Sequence, residues 1–170
     1  TSYSSLAPDV LDAVEAETGA AERQNLISAL TTNVSHFFRE HHHFDILARD
    51  VLPRLADRAS SGGRVRFWSA GCSTGQEPYS IAMTIRETLG DNAGRDTRIL
   101  ATDIDGTVLD HARRGIYADR QLQGLSPERQ KRHFRPAGPV GDSLQIAPSL
   151  QEMVAFRQLN LITDWPIKGP

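Results

Sequence analysis

The residues best suited to chemistry lie in a turn of small side chains between an apolar run and a helix. The run Val65–Ser69 is typical of a buried strand, residues 70–75 form the turn, and Pro78 begins an amphipathic helix. Small residues let a ligand approach the backbone closely, and a helix N-terminus directs N–H groups and a positive dipole at that ligand. This order of elements predicts a nucleotide-type site in an α/β domain, with Gly71 among the ligand-binding residues.

A second β-prone run, Arg98–Thr102, ends at the carboxylate of Asp103. It follows the turn by roughly 25–30 positions, where a dinucleotide-type site has its acceptor for ribose hydroxyl groups. Asp103 could instead cap the following helix or be a solvated loop carboxylate. The turn alone is weak evidence, because it lacks the third glycine of the dinucleotide fingerprint. The turn and the carboxylate together favour ligand binding.

A third polar segment precedes the first strand. Residues 31–35 are mostly small and polar, and Phe37, Phe38 and Arg39 follow them, which predicts a loop anchored by two aromatic side chains. Composition alone favours an ion pair between Arg39 and Glu40 or another nearby acid. Three adjacent histidines, residues 41–43, point in different directions on a helix and cannot all face one ion, so no metal site is expected.

The composition is that of an ordinary globular domain. The chain has 170 residues, of which 39% are hydrophobic and 24% charged, with a net charge of −2 that favours neither nucleic acid nor membrane surfaces. A single cysteine excludes an internal disulfide framework and fits a reducing compartment. No run approaches the ~18 apolar residues of a membrane span, and no signal-peptide pattern opens the chain. We therefore expect a cytoplasmic protein.

The elements that must position these residues follow from periodicity and punctuation. Residues 43–58 have helical spacing with a kink or a break expected near Pro53, and Asp105 to Gly115 is predicted as a helix that ends at its glycine. A short helix follows Ser126, and the basic residues 129–135 are interpreted as a solvated face. Residues 134–146 suggest a hairpin, and Val154–Asn160 a third strand. The prediction is three parallel strands with two crossover helices.

These segments closely resemble CheR, the family of chemotaxis-receptor protein-glutamate O-methyltransferases. The resemblance is carried by residues 31–40, 43–44, 68–82, 101–105 and 114–117, in the family's order and spacing, and covers about residues 20–165. It implies an α/β fold, a class I (Rossmann-like) S-adenosylmethionine-dependent methyltransferase domain that is incomplete. It also implies a helical N-terminal segment and linker helix over 1–58, the partial cofactor-binding domain over 59–170, and a small β subdomain at about 133–153.

The resemblance also implies an activity. Members transfer a methyl group from S-adenosylmethionine to glutamate side chains on the cytoplasmic domain of chemotaxis receptors, leaving S-adenosylhomocysteine, and some bind a receptor C-terminal peptide through the β subdomain. Carried over by motif, Arg39 lies near the reacting methyl and is the catalytic candidate. The cofactor contacts are Asn33, Ser35 and Arg39 itself, Glu77 near the methionine part, Asp103 on the ribose, and Asn160 and Leu161 near the adenine.

The residue types agree with that chemistry. A glutamate side chain has a reference pKa of about 4.3, so it is already ionised at neutral pH and needs no general base. The site must align the carboxylate with the sulfonium methyl and exclude water, and the planar donor fork of Arg39 can orient a carboxylate. Cys72, inside the turn, is interpreted as a residue chosen for size rather than as a nucleophile.

Two departures from the family and three alternatives bear on the function. The helical N-terminal part is shorter than the family's, and the family continues beyond residue 170 with further strands and helices, so the chain is interpreted as a fragment truncated at both ends.

The alternatives are a non-catalytic module that binds cofactor or a receptor tail, a small-molecule methyltransferase, and a nicotinamide-dependent dehydrogenase. The segment 31–39 argues against a small-molecule enzyme, and the spacing of the glycine turn argues against a dehydrogenase.

Overall fold

Contacts divide the chain into two compact units, Thr1–Thr32 and Asn33–Pro170. A computed structural model describes residues 19–29, 35–61, 63–90, 96–138, 142–162 and 165. In the first unit, residues 19–29 form a helix, α1. All elements named below belong to the second unit.

The second unit alternates helices and strands. Its first half contains α2 (His41–Ile46), a π-helical turn (Leu47–Val51), α3 (Leu52–Ser60), β1 (Val65–Ala70), α4 (Gln76–Leu89), β2 (Thr97–Asp103) and α5 (Gly106–Arg114). Its second half contains β3 (Ile116–Ala118), a 3-10 turn (Asp119–Gln121), α6 (Pro127–His133), β4 (Phe134–Pro136), β5 (Ser143–Ile146), α7 (Pro148–Gln151) and β6 (Val154–Gln158).

The main sheet is parallel and has the order β1-β2-β6, which confirms the three predicted strands and the α/β fold. Successive side chains point to opposite faces of a strand. One face carries buried side chains, among them Ile99, Ala101 and Phe156, which join the hydrophobic core together with residues of α4 and α5. Parallel strands joined by crossover helices therefore place their carboxyl ends at a common edge.

The opposite face of the sheet is more open. Register brings Trp68, Leu100 and Ala155 into one row across the three strands, where they line a groove of about 290 Å³. Trp165 packs edge-on against Trp68, with 4.9 Å between ring centroids. In the part of the chain that the structure describes, β1 is an edge strand.

The predicted helix limits are confirmed at α5 and α6. The Asp105 side chain accepts the Thr107 N–H at 2.8 Å at the start of α5, and Gly115 ends that helix with a φ of 61°. At α6, Ser126 accepts the Arg129 N–H at 3.3 Å and Pro127 occupies the first turn. Both helices thus follow local capping chemistry.

Of the two alternatives expected near Pro53, a kink or a break, the break is wrong. The helical path continues through Pro53 to Ser60, and the irregularity is instead the π-helical turn that precedes the proline. There the Leu52 N–H donates to the Leu47 carbonyl, five residues back. Because a proline lacks an N–H and its ring collides with the carbonyl four residues earlier, one widened turn lets the helix pass it without ending.

A second, antiparallel sheet has the order β3-β5-β4. The hairpin expected over residues 134–146 is confirmed by the pairing of β4 with β5. The third strand, β3, follows α5 directly and lies earlier in the chain than the expected range of about 133–153. The small sheet therefore begins immediately after the Gly115 cap.

The turn between β1 and α4 contains two glycines with positive φ in different surroundings. A Cβ at Gly75 (φ 95°) would lie 2.8 Å from the Ala112 Cβ and 3.0 Å from the Tyr117 hydroxyl, whereas a Cβ at Gly71 (φ 74°) meets nothing within 4 Å. We expect Gly71→Ala to lower the free energy of unfolding by about 1–2 kcal/mol through backbone strain, and Gly75→Ala to lower it further through overlap with α5. Urea denaturation of both variants tests this, and equal losses would contradict it.

Candidate functional site

The carboxyl edge of the main sheet gathers the residues predicted from the turn and the acidic strand end. The N–H groups of Gly71 and Cys72 both donate to the Thr102 carbonyl at 2.8 Å, which closes the turn onto the end of β2. Gly71 leaves its Cβ position open, so a ligand could approach the backbone there. Backbone hydrogen bonds thus hold the first part of the turn, and the Tyr117 hydroxyl, which donates to the Thr74 carbonyl at 2.8 Å, holds its second part.

Asp103 is the anchor of this edge. Its side chain is almost fully buried and accepts the Ser73 N–H at 2.7 Å on one oxygen and the Asp105 N–H at 3.0 Å on the other. The solvated-loop alternative for Asp103 is therefore wrong, and the cap of α5 is Asp105. A carboxylate has about four acceptor positions, so these two bonds leave capacity for hydroxyl groups of a ligand.

Glu77 and the loop after β6 complete the edge. Glu77 lies exposed in the first turn of α4, where the Ser69 hydroxyl donates to it at 2.6 Å. The Leu159 N–H donates to the Asp103 carbonyl at 2.9 Å, which brings Asn160 and Leu161 to the same edge. Asn160 is half-buried, its side-chain oxygen accepts the Ile162 N–H at 3.0 Å, and Leu161 is exposed.

Cys72 has the properties of a packing residue. Burial, together with the nearby Asp103 carboxylate, raises the pKa of its thiol to about 12. The thiolate is the nucleophilic form of cysteine, so this side chain stays protonated and unreactive at neutral pH. This agrees with the interpretation of Cys72 as a residue chosen for size.

Arg39 is presented by a separate segment, the turn of residues 37–40 before α2. The two aromatic anchors are confirmed: Phe37 packs edge-on against Tyr117 and Phe134, with centroids 5.0 and 5.6 Å away, and the Phe38 N–H donates to the Ser80 hydroxyl of α4 at 3.0 Å. Arg39 itself is exposed. The turn is thus held on the core while the arginine faces outward.

The other two residues predicted from this segment differ in what the structure describes. Ser35 is half-buried and lines a polar cleft of about 590 Å³ with His36, Arg120 and Gln121. Asn33 lies outside the described residues. The described part of the chain contains no group of three or more side chains that could hold a metal ion, and none of its helices is long and apolar enough to cross a membrane.

Sequence reasoning missed an ionic cluster next to the Arg39 turn. Arg129 of α6 donates to both carboxylate oxygens of Glu87 in α4, at 2.9 to 3.2 Å, and His133 approaches Glu87 at 3.0 Å. The Arg129 guanidinium lies 4.1 Å from the centroid of the Phe38 ring. The interpretation of the basic run as a solvated face is therefore wrong for Arg129 and His133. Their spacing of four residues places them on one face of α6, which was the available signal.

The electrostatics of this cluster favour the charged carboxylate. Burial alone would raise the pKa of Glu87, but hydrogen bonds from His133 and Arg129 outweigh burial and lower the pKa to about 2. Glu87 is therefore ionised throughout the neutral range and holds Arg129 in place by charge as well as by geometry.

Comparison with known proteins decides the family. Residues 33–170 match the family model described as CheR methyltransferase, SAM binding domain. The chain belongs to the CheR family. The cofactor named by that description, S-adenosylmethionine, fits the edge of the CheR sheet, because Gly71 leaves the backbone approachable and Asp103 retains acceptor capacity.

Individual relatives share the match over most of this CheR chain. It is 45% identical over 157 residues to a probable chemotaxis protein methyltransferase of Rhizobium etli, covering 92% of this chain and 59% of that protein. It is 42% identical over 162 residues to the chemotaxis protein methyltransferase of Escherichia coli, covering 94% and 54%. Chemotaxis protein methyltransferase 2 of Pseudomonas aeruginosa is 44% identical over 150 residues, with 87% and 52% covered. The chain thus spans little more than half the length of these relatives.

The lowered pKa of Glu87 predicts an acid-dependent contribution to stability. The contribution is fully present above the ordinary value of 4.5 and is lost as the pH falls through about 2, because the unfolded chain binds the proton first. We expect Glu87→Gln to be less stable than the parent protein at neutral pH and the difference to shrink toward pH 2. Denaturant titrations across this range measure it, with Glu152→Gln, an exposed glutamate after α7, as the control. A difference that is constant with pH would contradict the assignment.

Proposed function

We propose that this CheR-family chain carries the cofactor half-site of an enzyme that methylates glutamate side chains of chemotaxis receptors. The products are glutamate methyl esters and S-adenosylhomocysteine. The observation that carries the proposal is that a buried carboxylate at a strand end, Asp103, accepts the Ser73 N–H of the turn that leads into α4, while the turn carrying Arg39 is bonded to Ser80 of α4. The relatives described above are named chemotaxis protein methyltransferases, which supports the same reaction.

The proposed cofactor contacts follow the geometry of the sheet edge. Asp103 accepts hydrogen bonds from ribose hydroxyls, and the open backbone at Gly71 allows close approach of the ligand. Glu77, in the first turn of α4, faces the methionine part, where its carboxylate suits an ammonium group. The remaining proposed contacts are Asn160 and Leu161 near the adenine, and Asn33, Ser35 and Arg39 from the segment before α2.

The proposed catalytic work is alignment. Bound S-adenosylmethionine supplies a methyl group on a positively charged sulfur. The acceptor glutamate is ionised at neutral pH and needs no base, so this chain's residues have to orient the carboxylate and exclude water. The guanidinium fork of Arg39 can donate two parallel hydrogen bonds to a carboxylate and thereby fix its direction.

The proposed partner is the cytoplasmic domain of methyl-accepting chemotaxis receptors, which places the protein in the cytoplasm. The small sheet β3-β5-β4 is the proposed contact for a receptor C-terminal peptide. Its strands are short, and the outer two, β3 and β4, pair with β5 on one side only among the described residues. Such an edge can accept an extended peptide through main-chain hydrogen bonds. The domain division proposed from the family is 1–58 and 59–170.

Cofactor binding is tested by calorimetric titration of the full-length protein with S-adenosylhomocysteine. We expect Asp103→Asn to weaken binding about 10- to 100-fold, because hydrogen bonds to a charged group contribute about 1.5–3 kcal/mol. Asparagine keeps an acceptor oxygen for only one of the Ser73 and Asp105 N–H groups, so the fold of the variant is checked by circular dichroism before its affinity is compared with that of the parent protein. Asp110→Asn, in an exposed ion pair with Arg113, is the control. A folded parent protein that does not bind would refute the cofactor assignment.

Catalysis is tested by methyl transfer to a receptor cytoplasmic fragment. We expect Arg39→Lys to lower kcat by about 10- to 100-fold, a larger factor than its effect on S-adenosylhomocysteine affinity, because lysine keeps the positive charge but cannot hold a carboxylate in a fixed plane. Arg49→Lys, in an exposed ion pair with Asp50, should leave kcat unchanged. Cofactor binding without any receptor methylation would instead favour the alternative, a non-catalytic module of the same fold.

A further inference from the structure

Arg39 occupies an unusual stretch of backbone. The residues on either side of it, Phe38 and Glu40, have φ values of 54° and 55°, and neither is a glycine. Side-chain-bearing residues rarely adopt this left-handed conformation, because the Cβ crowds the carbonyl oxygen. A turn with two such residues persists only where surrounding contacts hold it. The direction of Arg39 therefore depends on whatever fixes Phe38.

Phe38 is held from three sides. Its N–H donates to the Ser80 hydroxyl at 3.0 Å, and that hydroxyl donates in turn to the Gln76 carbonyl at 2.7 Å. Its ring packs edge-on against Phe44, with 5.0 Å between centroids. The Arg129 guanidinium lies against the ring at 4.1 Å, within the range of a cation–π contact. Phe44 belongs to α2, which follows the turn directly, whereas Ser80 comes from α4 and Arg129 from α6, both far from the turn in the sequence.

Arg129 is itself fixed in place. The Arg129 Nε and Nη2 atoms both donate to the Glu87 carboxylate, and this fork holds the guanidinium plane. His133, which is 4% exposed, approaches the same carboxylate at 3.0 Å. A guanidinium is suited to this double role because it can pair with a carboxylate along its edge while it stacks on an aromatic ring.

We propose that Arg129 is a positioning residue for Arg39. Its guanidinium, held by Glu87 and His133, packs against the Phe38 ring. This contact stabilises the left-handed turn that directs Arg39 toward the acceptor carboxylate. This role rests on the proposed function, because Arg39 must act on the acceptor for its direction to matter. Arg129 itself touches neither substrate nor cofactor in this scheme.

Kinetics of the full-length protein test the proposal. We expect Arg129→Met to lower kcat for receptor methylation by about tenfold or more, while the Kd for S-adenosylhomocysteine changes by a clearly smaller factor. Arg129→Lys, which keeps the cation but loses the fork, should fall between the parent protein and Arg129→Met. Arg113→Met, which breaks an exposed ion pair on α5, should leave kcat unchanged. A kcat for Arg129→Met equal to that of the parent would overturn the proposal.

A double-mutant cycle separates positioning from general destabilisation. If Arg129 acts through Arg39, adding Arg129→Met to Arg39→Lys should cost much less than it costs in the parent protein, because the aligned guanidinium is already lost. Full additivity of the two changes in kcat would mean that Arg129 acts by another route and would overturn the proposal.

A readout without catalysis distinguishes this proposal from the proposed function. Backbone amide NMR relaxation of residues 38–40 should show increased motion in Arg129→Met and none in Arg113→Met. An unchanged turn in Arg129→Met would overturn the positioning role, whether or not the parent protein methylates receptors. A loosened turn in a protein without methyl transfer would support the contact between Arg129 and the turn and refute the methyltransferase assignment alone.

Discussion

The structure of the site depends on a buried carboxylate that is satisfied by backbone N–H groups. A carboxylate removed from water is costly unless donors replace its hydration. Asp103 receives the N–H of Ser73 from the turn after β1 and the N–H of Asp105 from the start of α5. Its own carbonyl accepts the Leu159 N–H after β6. Asp103 thereby links three separate segments of the chain. A ligand that binds its side chain lies where these segments meet at the carboxyl edge of the sheet.

Helix α4 connects this hydrogen-bonded sheet edge to the turn that carries Arg39. It begins at the glycine turn, and a polar stripe then continues along its buried side: the Ser80 hydroxyl donates to the Gln76 carbonyl, and the Thr84 hydroxyl donates to the Ser80 carbonyl. Residues separated by three or four positions share a helix face, so Glu87 continues the same stripe. One helix therefore connects the cofactor edge at its start with the Phe38 contact and the ionic cluster further along.

Local patterns were sufficient for most of the fold and for the sheet edge. The three strands of the main sheet, the glycine turn, the limits of α5 and the burial of Phe37 and Phe38 all depend on neighbouring residues, so a single sequence contains their signals. The pairing of Glu87 with Arg129 and His133 joins positions 42 and 46 residues apart, and no local rule predicts it. The left-handed Phe38 was also unpredictable, since tertiary contacts rather than a glycine allow it.

The ionic cluster of Glu87, Arg129 and His133 is better explained by its effect on the orientation of side chains than by a contribution to the stability of the fold. Desolvation of a partly buried ion pair cancels much of its attraction, and an apolar replacement is often equally stable. An apolar side chain at position 129 could cover Phe38, but it could not be held at one angle by a carboxylate 42 residues away. The fork of Arg129 fixes that angle, and His133 fixes the carboxylate. The cost of burying these charges is therefore consistent with a requirement that the turn carrying Arg39 adopt a single conformation.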